Sequence, residues 1–132
     1  MRVIAGDIGG TKTLLHIAEV RGTRVESLHE GRFPSQHYSD FDTLLDEFVR
    51  QAPAEVRTVT AACFGVAGPI SGPEQGPRTA RITNLPWIMD ERRLAQRLQL
   101  PRARLINDFF ATAAGIEALG EKDLAVLNAA PR

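Results

Sequence analysis

The segment Asp7-Ile8-Gly9-Gly10-Thr11-Lys12-Thr13 gathers the groups that a polyphosphate needs. Two adjacent glycines let backbone N–H groups approach an anion with no Cβ in the way. Thr11 adds a hydroxyl donor, and Lys12 completes the candidate set. Asp7 can hold a hydrated magnesium ion beside the same anion, because magnesium keeps several waters and takes one or two carboxylates. The string also reads as a plain β-hairpin, since Gly-Gly between two strands is a common turn signal. Spacing alone favours the hairpin, and the two readings are compatible, because a hairpin can itself be the phosphate loop. A P-loop is ruled out, since the Gly-Lys dipeptide is missing and a strand follows where that motif needs a helix. A dinucleotide site of Rossmann type lacks its Gly-x-Gly-x-x-Gly after the first strand.

A second constellation is Leu105-Ile106-Asn107-Asp108-Phe109-Phe110. Here a strand runs directly into a helix, the place where ligands collect in α/β sheets. A carboxylate at Asp108 can accept a proton from a substrate hydroxyl, and the amide of Asn107 can bond an adjacent hydroxyl. That pairing suits a polyol such as a sugar. Asp108 also reads as a helix N-cap, a favoured role for aspartate, and taken alone the cap is the commoner outcome. A third constellation joins Gly65-Val66-Ala67-Gly68-Pro69 to Thr83-Asn84-Leu85-Pro86-Trp87. The first string ends a strand and gives the chain room to pass a ligand. The second can present Asn84 to a pocket, while Trp87 reads better as core. His16, His29 and His37 have no metal-type spacing; His16 reads as a sheet residue and the other two as solvent-exposed. Cys63 lies inside an apolar run and reads as core rather than nucleophile. Arg92, Arg93 and Arg97 read as a solvated basic helix face.

The elements that must position these groups follow from periodicity. Arg2 to Ile8, Thr13 to Val20 and Arg24 to Phe33 read as three sequential strands with tight turns, an antiparallel meander. Phe41, Leu44, Leu45, Phe48 and Val49 then recur at helical spacing, with Ser39 or Asp40 as cap and Pro53 beyond the end. Thr58 to Val66 is nearly continuous in apolar residues, the pattern of a strand buried on both faces in mid-sheet. Gly68 to Arg78, rich in Pro and Gly, reads as a loop. Thr79 to Thr83 follows as a short strand, Asp90 to Leu98 as a helix capped by Asp90, and Arg104 to Asn107 as a strand. Asp108 to Leu119 reads as an Ala-rich helix with Gly120 at C′, and Asp123 to Leu127 as a last strand. A meander followed by α/β crossovers predicts a mixed sheet with helices on it.

Composition sets the outer bounds. The chain has 132 residues, 43% hydrophobic and 24% charged, which is ordinary for a globular domain. Sixteen basic residues balance sixteen acidic ones, so neither a nucleic-acid footprint nor a polybasic membrane anchor is expected. One cysteine excludes an internal disulfide and a Cys-rich zinc cluster. No apolar run approaches the roughly 20 residues of a membrane span, and the early acidic Asp7 argues against a secretory leader. A cytoplasmic location is the expectation.

Four segments together resemble the start of a bacterial-type glucokinase, within the superfamily shared by hexokinases, actin-like ATPases and sugar-kinase-like repressors. They are Gly6-Asp7-Ile8-Gly9-Gly10-Thr11, Ala62-Cys63-Phe64-Gly65-Val66-Ala67-Gly68-Pro69, Thr83-Asn84-Leu85-Pro86-Trp87 and Leu105-Ile106-Asn107-Asp108-Phe109. The first marks only the superfamily; the combination is far more specific. The resemblance implies a ribonuclease-H-like (actin-like ATPase) α/β fold whose mixed sheet begins with three antiparallel strands. It implies that Asp7, Gly9, Gly10, Thr11 and Lys12 bind ATP phosphates, with Asp7 reaching Mg2+ through water. Asp108 would be the catalytic base, and Asn107, Asp108 and Asn84 would bind glucose or a similar hexose. Residues 1–108 would be a small ATPase-like domain and 109–132 the start of a larger one, the remainder lying in a longer protein. Such a fragment is expected to be inactive alone, and the whole protein has room for a homodimer. Two rivals remain: a sugar-binding regulator without kinase activity, and an actin-like structural ATPase. Asn107-Asp108 and the Thr-Asn-Leu-Pro-Trp string weaken the second.

Overall fold

A computed structural model describes residues 1–73 and 75–107. The helix expected from Asp108, the strand expected at 123–127 and Asp108 itself lie outside the described residues. Three strands open the chain: β1 (Arg2–Ile8), β2 (Lys12–Arg21) and β3 (Arg24–Pro34). They form the expected meander, with β2 antiparallel to both neighbours. A 3₁₀ turn, Ser35–His37, leads to α1 (Phe41–Gln51). β4 (Ala61–Val66) then returns parallel to β1, and β8 (Ala103–Asn107) lies parallel to β4. The main sheet has the order β3-β2-β1-β4-β8, so the apolar β4 is an inner strand as its sequence requires.

α1 forms because its apolar residues make one stripe. Phe41, Leu44, Leu45 and Phe48 are all buried. Of the two cap candidates it is Asp40 that acts, its carboxylate accepting the Thr43 N–H at 2.7 Å. That bond holds the Asp40 carboxyl below its ordinary range. The stripe packs on the sheet face carrying Ile4, Ile8, Leu15, Ile17, Phe64 and Leu105. Phe41 meets Phe64 edge-on at 5.2 Å between ring centroids. The opposite face carries a smaller cluster of Val3, Ala5, Ala18, Val20 and Cys63.

Between β4 and β8 the chain builds a second, three-stranded sheet from β5 (Ile70–Ser71), β6 (Thr79–Arg81) and β7 (Ile88–Asp90). Sequence reading treats 68–78 as loop alone and has no strand at 88–90; strands of two and three residues are too short to show a period. α2 (Glu91–Leu98) follows at once, with Asp90 as its cap, accepting from the N–H groups of Arg92 and Arg93. The basic face of α2 is not merely solvated: Arg97 pairs with Asp46 at 2.8 Å, and Arg93 with Asp42, both on α1. His29 departs likewise from its expected exposure. It is half-buried and stacks on Phe48 at 4.8 Å.

Candidate functional site

The parallel register decides what the strands bring together. Asp7 pairs with Gly65, and Gly65 with Ile106; one step on, Ile8 pairs with Val66 and Val66 with Asn107. The C-terminal ends of β1, β4 and β8 therefore finish in one row, at the same edge of the sheet. Neighbouring strands are spaced by about 4.8 Å, so β1 and β8 stand about 10 Å apart across β4. The phosphate-type turn and the Asn107 end thus border one edge, where open α/β sheets bind ligands. Alternation along the strands puts Asp7 and Asn107 on opposite faces of that edge. Asp7 is half-buried and Asn107 exposed.

The turn itself is tight. The Gly9 N–H donates to the Lys12 carbonyl at 3.1 Å, closing the hairpin between β1 and β2. Thr11 and Lys12 are exposed at its tip. Its flank is fixed by the chain that follows β3. Ser35 donates its N–H to the Thr11 carbonyl at 3.0 Å and its Oγ–H to the Gly9 carbonyl at 2.7 Å. Thr13 Oγ1 lies 2.8 Å from Ser35 Oγ, and both side chains are fully buried. Sequence reasoning missed Ser35, because a serine between a strand and a helix carries no pattern.

The third constellation docks on the first. A Cβ on Gly10 would stand 2.7 Å from the Thr83 carbonyl oxygen and 3.6 Å from Asn84 Cβ. The Thr83 N–H donates to the Ala67 carbonyl at 2.9 Å, and the Ala67 N–H to the Ile8 carbonyl at 3.0 Å. Asn84 is exposed and left-handed at φ 69°, a conformation that Asn tolerates at turns. Trp87 is core as expected, 1% exposed, with its indole N–H donated to the Tyr38 carbonyl. Gly68 corrects an expectation. The room it leaves goes to the protein's own backbone, since a Cβ there would lie 1.8 Å from the Arg81 carbonyl oxygen.

Glu91 is a second residue that sequence reading passed over. It is 4% exposed, and its carboxylate accepts the N–H groups of Arg78 at 2.9 Å and Leu105 at 2.8 Å. It also pairs with the Arg78 guanidinium at 3.3 Å, which in turn donates to the Leu105 carbonyl. This knot ties the small sheet and α2 to β8, two residues before Asn107. Cys63 is buried, and desolvation pushes its thiol up to about 12, so it is no nucleophile. Among the described residues no helix is long and apolar enough to cross a membrane.

A magnesium site here has few protein ligands to draw on. Among the described residues no group of three or more His, Cys, Asp or Glu side chains converges on a point. Asp7 with water and phosphate oxygens fits the way magnesium is usually held.

Known proteins are similar to this chain in sequence and share this fold. The family model described as Glucokinase matches residues 4–132. Among curated relatives, the glucokinase of Nostoc sp. is 38% identical over 128 residues, covering 96% of this chain and 36% of the relative. That of Synechocystis sp. is 38% identical over 136 residues, covering 97% and 37%. The chain therefore spans about a third of their length. A glucokinase crystal structure from an Antarctic psychrotroph superimposes with a TM-score of 0.72 at 23% identity, over 85% of this chain and 34% of that one. That likeness carries the fold, a mixed α/β sheet of the ATPase-like kind. With the family model spanning nearly every residue, the chain belongs to the glucokinase family.

Proposed function

We propose that the protein carrying this chain is an ATP-dependent hexose kinase that transfers the γ-phosphoryl group of ATP to the 6-hydroxyl of glucose. The observation that carries this reading is the register row, which ends β1 at the glycine turn and β8 at Asn107 on one edge, about 10 Å apart. That span suits a phosphate tail on one wall and a sugar on the other. Residues 1–108 would form the small domain and 109–132 the entry to the larger one. Location in the cytoplasm belongs to the same proposal.

Phosphoryl transfer asks the protein mainly to position groups and neutralise charge. The turn at Gly9, Gly10 and Thr11 would face the phosphate oxygens, with Lys12 beside it and the Gly9 N–H closing the hairpin on the Lys12 carbonyl. Magnesium, when bound, offsets phosphate charge, and Asp7 would hold it through water. Asn107 and Asn84 would orient sugar hydroxyls. Asp108, next to Asn107 in sequence, would take the proton of the attacking hydroxyl.

The test is Asp108→Asn in the full-length protein, assayed by coupled glucose phosphorylation and by glucose binding. Turnover is expected to fall 10²–10⁴-fold, with glucose affinity kept within a few-fold. Wild-type turnover in the variant removes Asp108 from the mechanism. Absence of glucose- and ATP-dependent phosphorylation in the wild-type protein removes the kinase reading.

A further inference from the structure

Ser35 carries no charge and belongs to none of the four family strings, yet its segment holds two walls of the site. Its hydroxyl has a single proton, and that proton goes to the Gly9 carbonyl at 2.7 Å. At 2.8 Å, Thr13 Oγ1 must therefore be the donor to Ser35 Oγ. The bonds run in series, Thr13 to Ser35 to Gly9, and bonds in series polarise one another. A trans peptide is planar, so the Gly9 carbonyl and the Gly10 N–H point in opposite directions. Anchoring the carbonyl on Ser35 turns the Gly10 N–H away from Ser35. Among the described residues that N–H meets no acceptor. The Ser35 N–H pins the other side of the turn through Thr11. Three residues on, the Tyr38 carbonyl receives the Trp87 indole N–H at 3.0 Å, which steadies the segment carrying Thr83 and Asn84.

We infer that Ser35, supported by Thr13, is a positioning residue: it sets the peptide plane that aims the Gly10 N–H at an anion. The identity of that anion as an ATP phosphate rests on the kinase reading above; the positioning itself does not.

The experiment uses the full-length protein with Ser35→Ala, Ser35→Cys and Thr13→Val. It reads KM for ATP, KM for glucose, kcat, and amide hydrogen exchange without ligand. Ser35→Ala is expected to raise the ATP KM about tenfold and to leave the glucose KM within twofold. Exchange at Gly9 and Ser35 should quicken, with Val20, bonded to the Met1 carbonyl at the far end of the sheet, unchanged. Ser35→Cys keeps the size and loses the strong donor, so it should follow the alanine variant. Thr13→Val keeps the shape and should shift the same readouts less, and it decides the matter if Ser35→Ala does not fold. A folded Ser35→Ala or Ser35→Cys variant with wild-type ATP KM and wild-type exchange overturns the inference. If the wild type phosphorylates no sugar, the kinase reading fails while exchange still decides Ser35: quickened exchange at Gly9 upholds the positioning role, and unchanged exchange ends it.

Discussion

Gly10 and Thr83 press so closely that a single methyl group on Gly10 would sit 2.7 Å from the Thr83 carbonyl oxygen. The glycine turn and the Asn84 turn therefore pack as one body, although 73 residues separate them in the chain. Two turns of the candidate site are registered by backbone rather than by long side chains.

Gly10→Ala should force that contact apart. Overpacking of this kind destabilises by about 1–3 kcal/mol, readable as a lower urea midpoint at unchanged slope. In the full-length protein it should also weaken ATP and sugar use together. Gly9→Ala meets only the Lys12 carbonyl at 3.1 Å and should be the milder of the two. Equal effects would show that Thr83 is not the reason for glycine at position 10.

Glu91→Ala should be among the most damaging single changes. It leaves the buried Leu105 N–H without its acceptor and the Arg78 guanidinium without its counter-charge. Breaking one partner of such a buried pair removes about 3 kcal/mol or more. Glu91→Gln keeps one acceptor oxygen and should lose less. Denaturant unfolding of both variants checks the order, and a neutral alanine variant would contradict it.

The Asp40 cap makes part of the stability of α1 depend on pH. The carboxyl lies below the ordinary aspartate range because it accepts the Thr43 N–H, with Arg97 and Arg93 adding smaller help. A lowered folded pKa means the contribution is full above the unfolded value and fades as pH drops through the folded one. Asp40→Ala should therefore weaken the protein by about 1 kcal/mol near neutrality. The gap to wild type should narrow as pH falls through the ordinary aspartate range and below it. A gap independent of pH would show that the cap is not the ionised carboxylate.

Cys63 should resist modification while the protein is folded. Its thiol is pushed up to about 12 by burial, so almost no thiolate exists at pH 8. Alkylation by iodoacetamide should wait for unfolding and then run at the rate of an ordinary thiol. Rapid labelling of the native protein would place Cys63 outside the core.

Much of this architecture is written in the sequence at helical and strand spacing. The stripe Phe41-Leu44-Leu45-Phe48 and the apolar run ending in Val66 announce α1 and β4 because burial demands them. The small sheet is not written that way. Ile70–Ser71 and Ile88–Asp90 are strands through pairing with β6, and pairing across the chain leaves no local period. The candidate site divides similarly. Asp7, the glycines, Asn84 and Asn107 stand out by residue type. Ser35 and Glu91 do not, since their importance comes from three-dimensional neighbours: the Gly9 carbonyl for one, the Leu105 N–H for the other. The same blindness misjudged Arg93 and Arg97, whose acids lie 51 residues away.

The small sheet has strands of only two or three residues, yet Ala80, Ile82, Trp87 and Met89 bury into the same core as α1 and the main sheet, beside the bonds of Thr83 to Ala67, Trp87 to Tyr38 and the Glu91 knot. Such a unit cannot open without exposing that shared core, so its loss costs close to the global unfolding free energy. Heat or denaturant would then dismantle the Asn84 side and β1 to β3 in one transition. The geometry of the glycine turn and the fold that carries it would share one melting point.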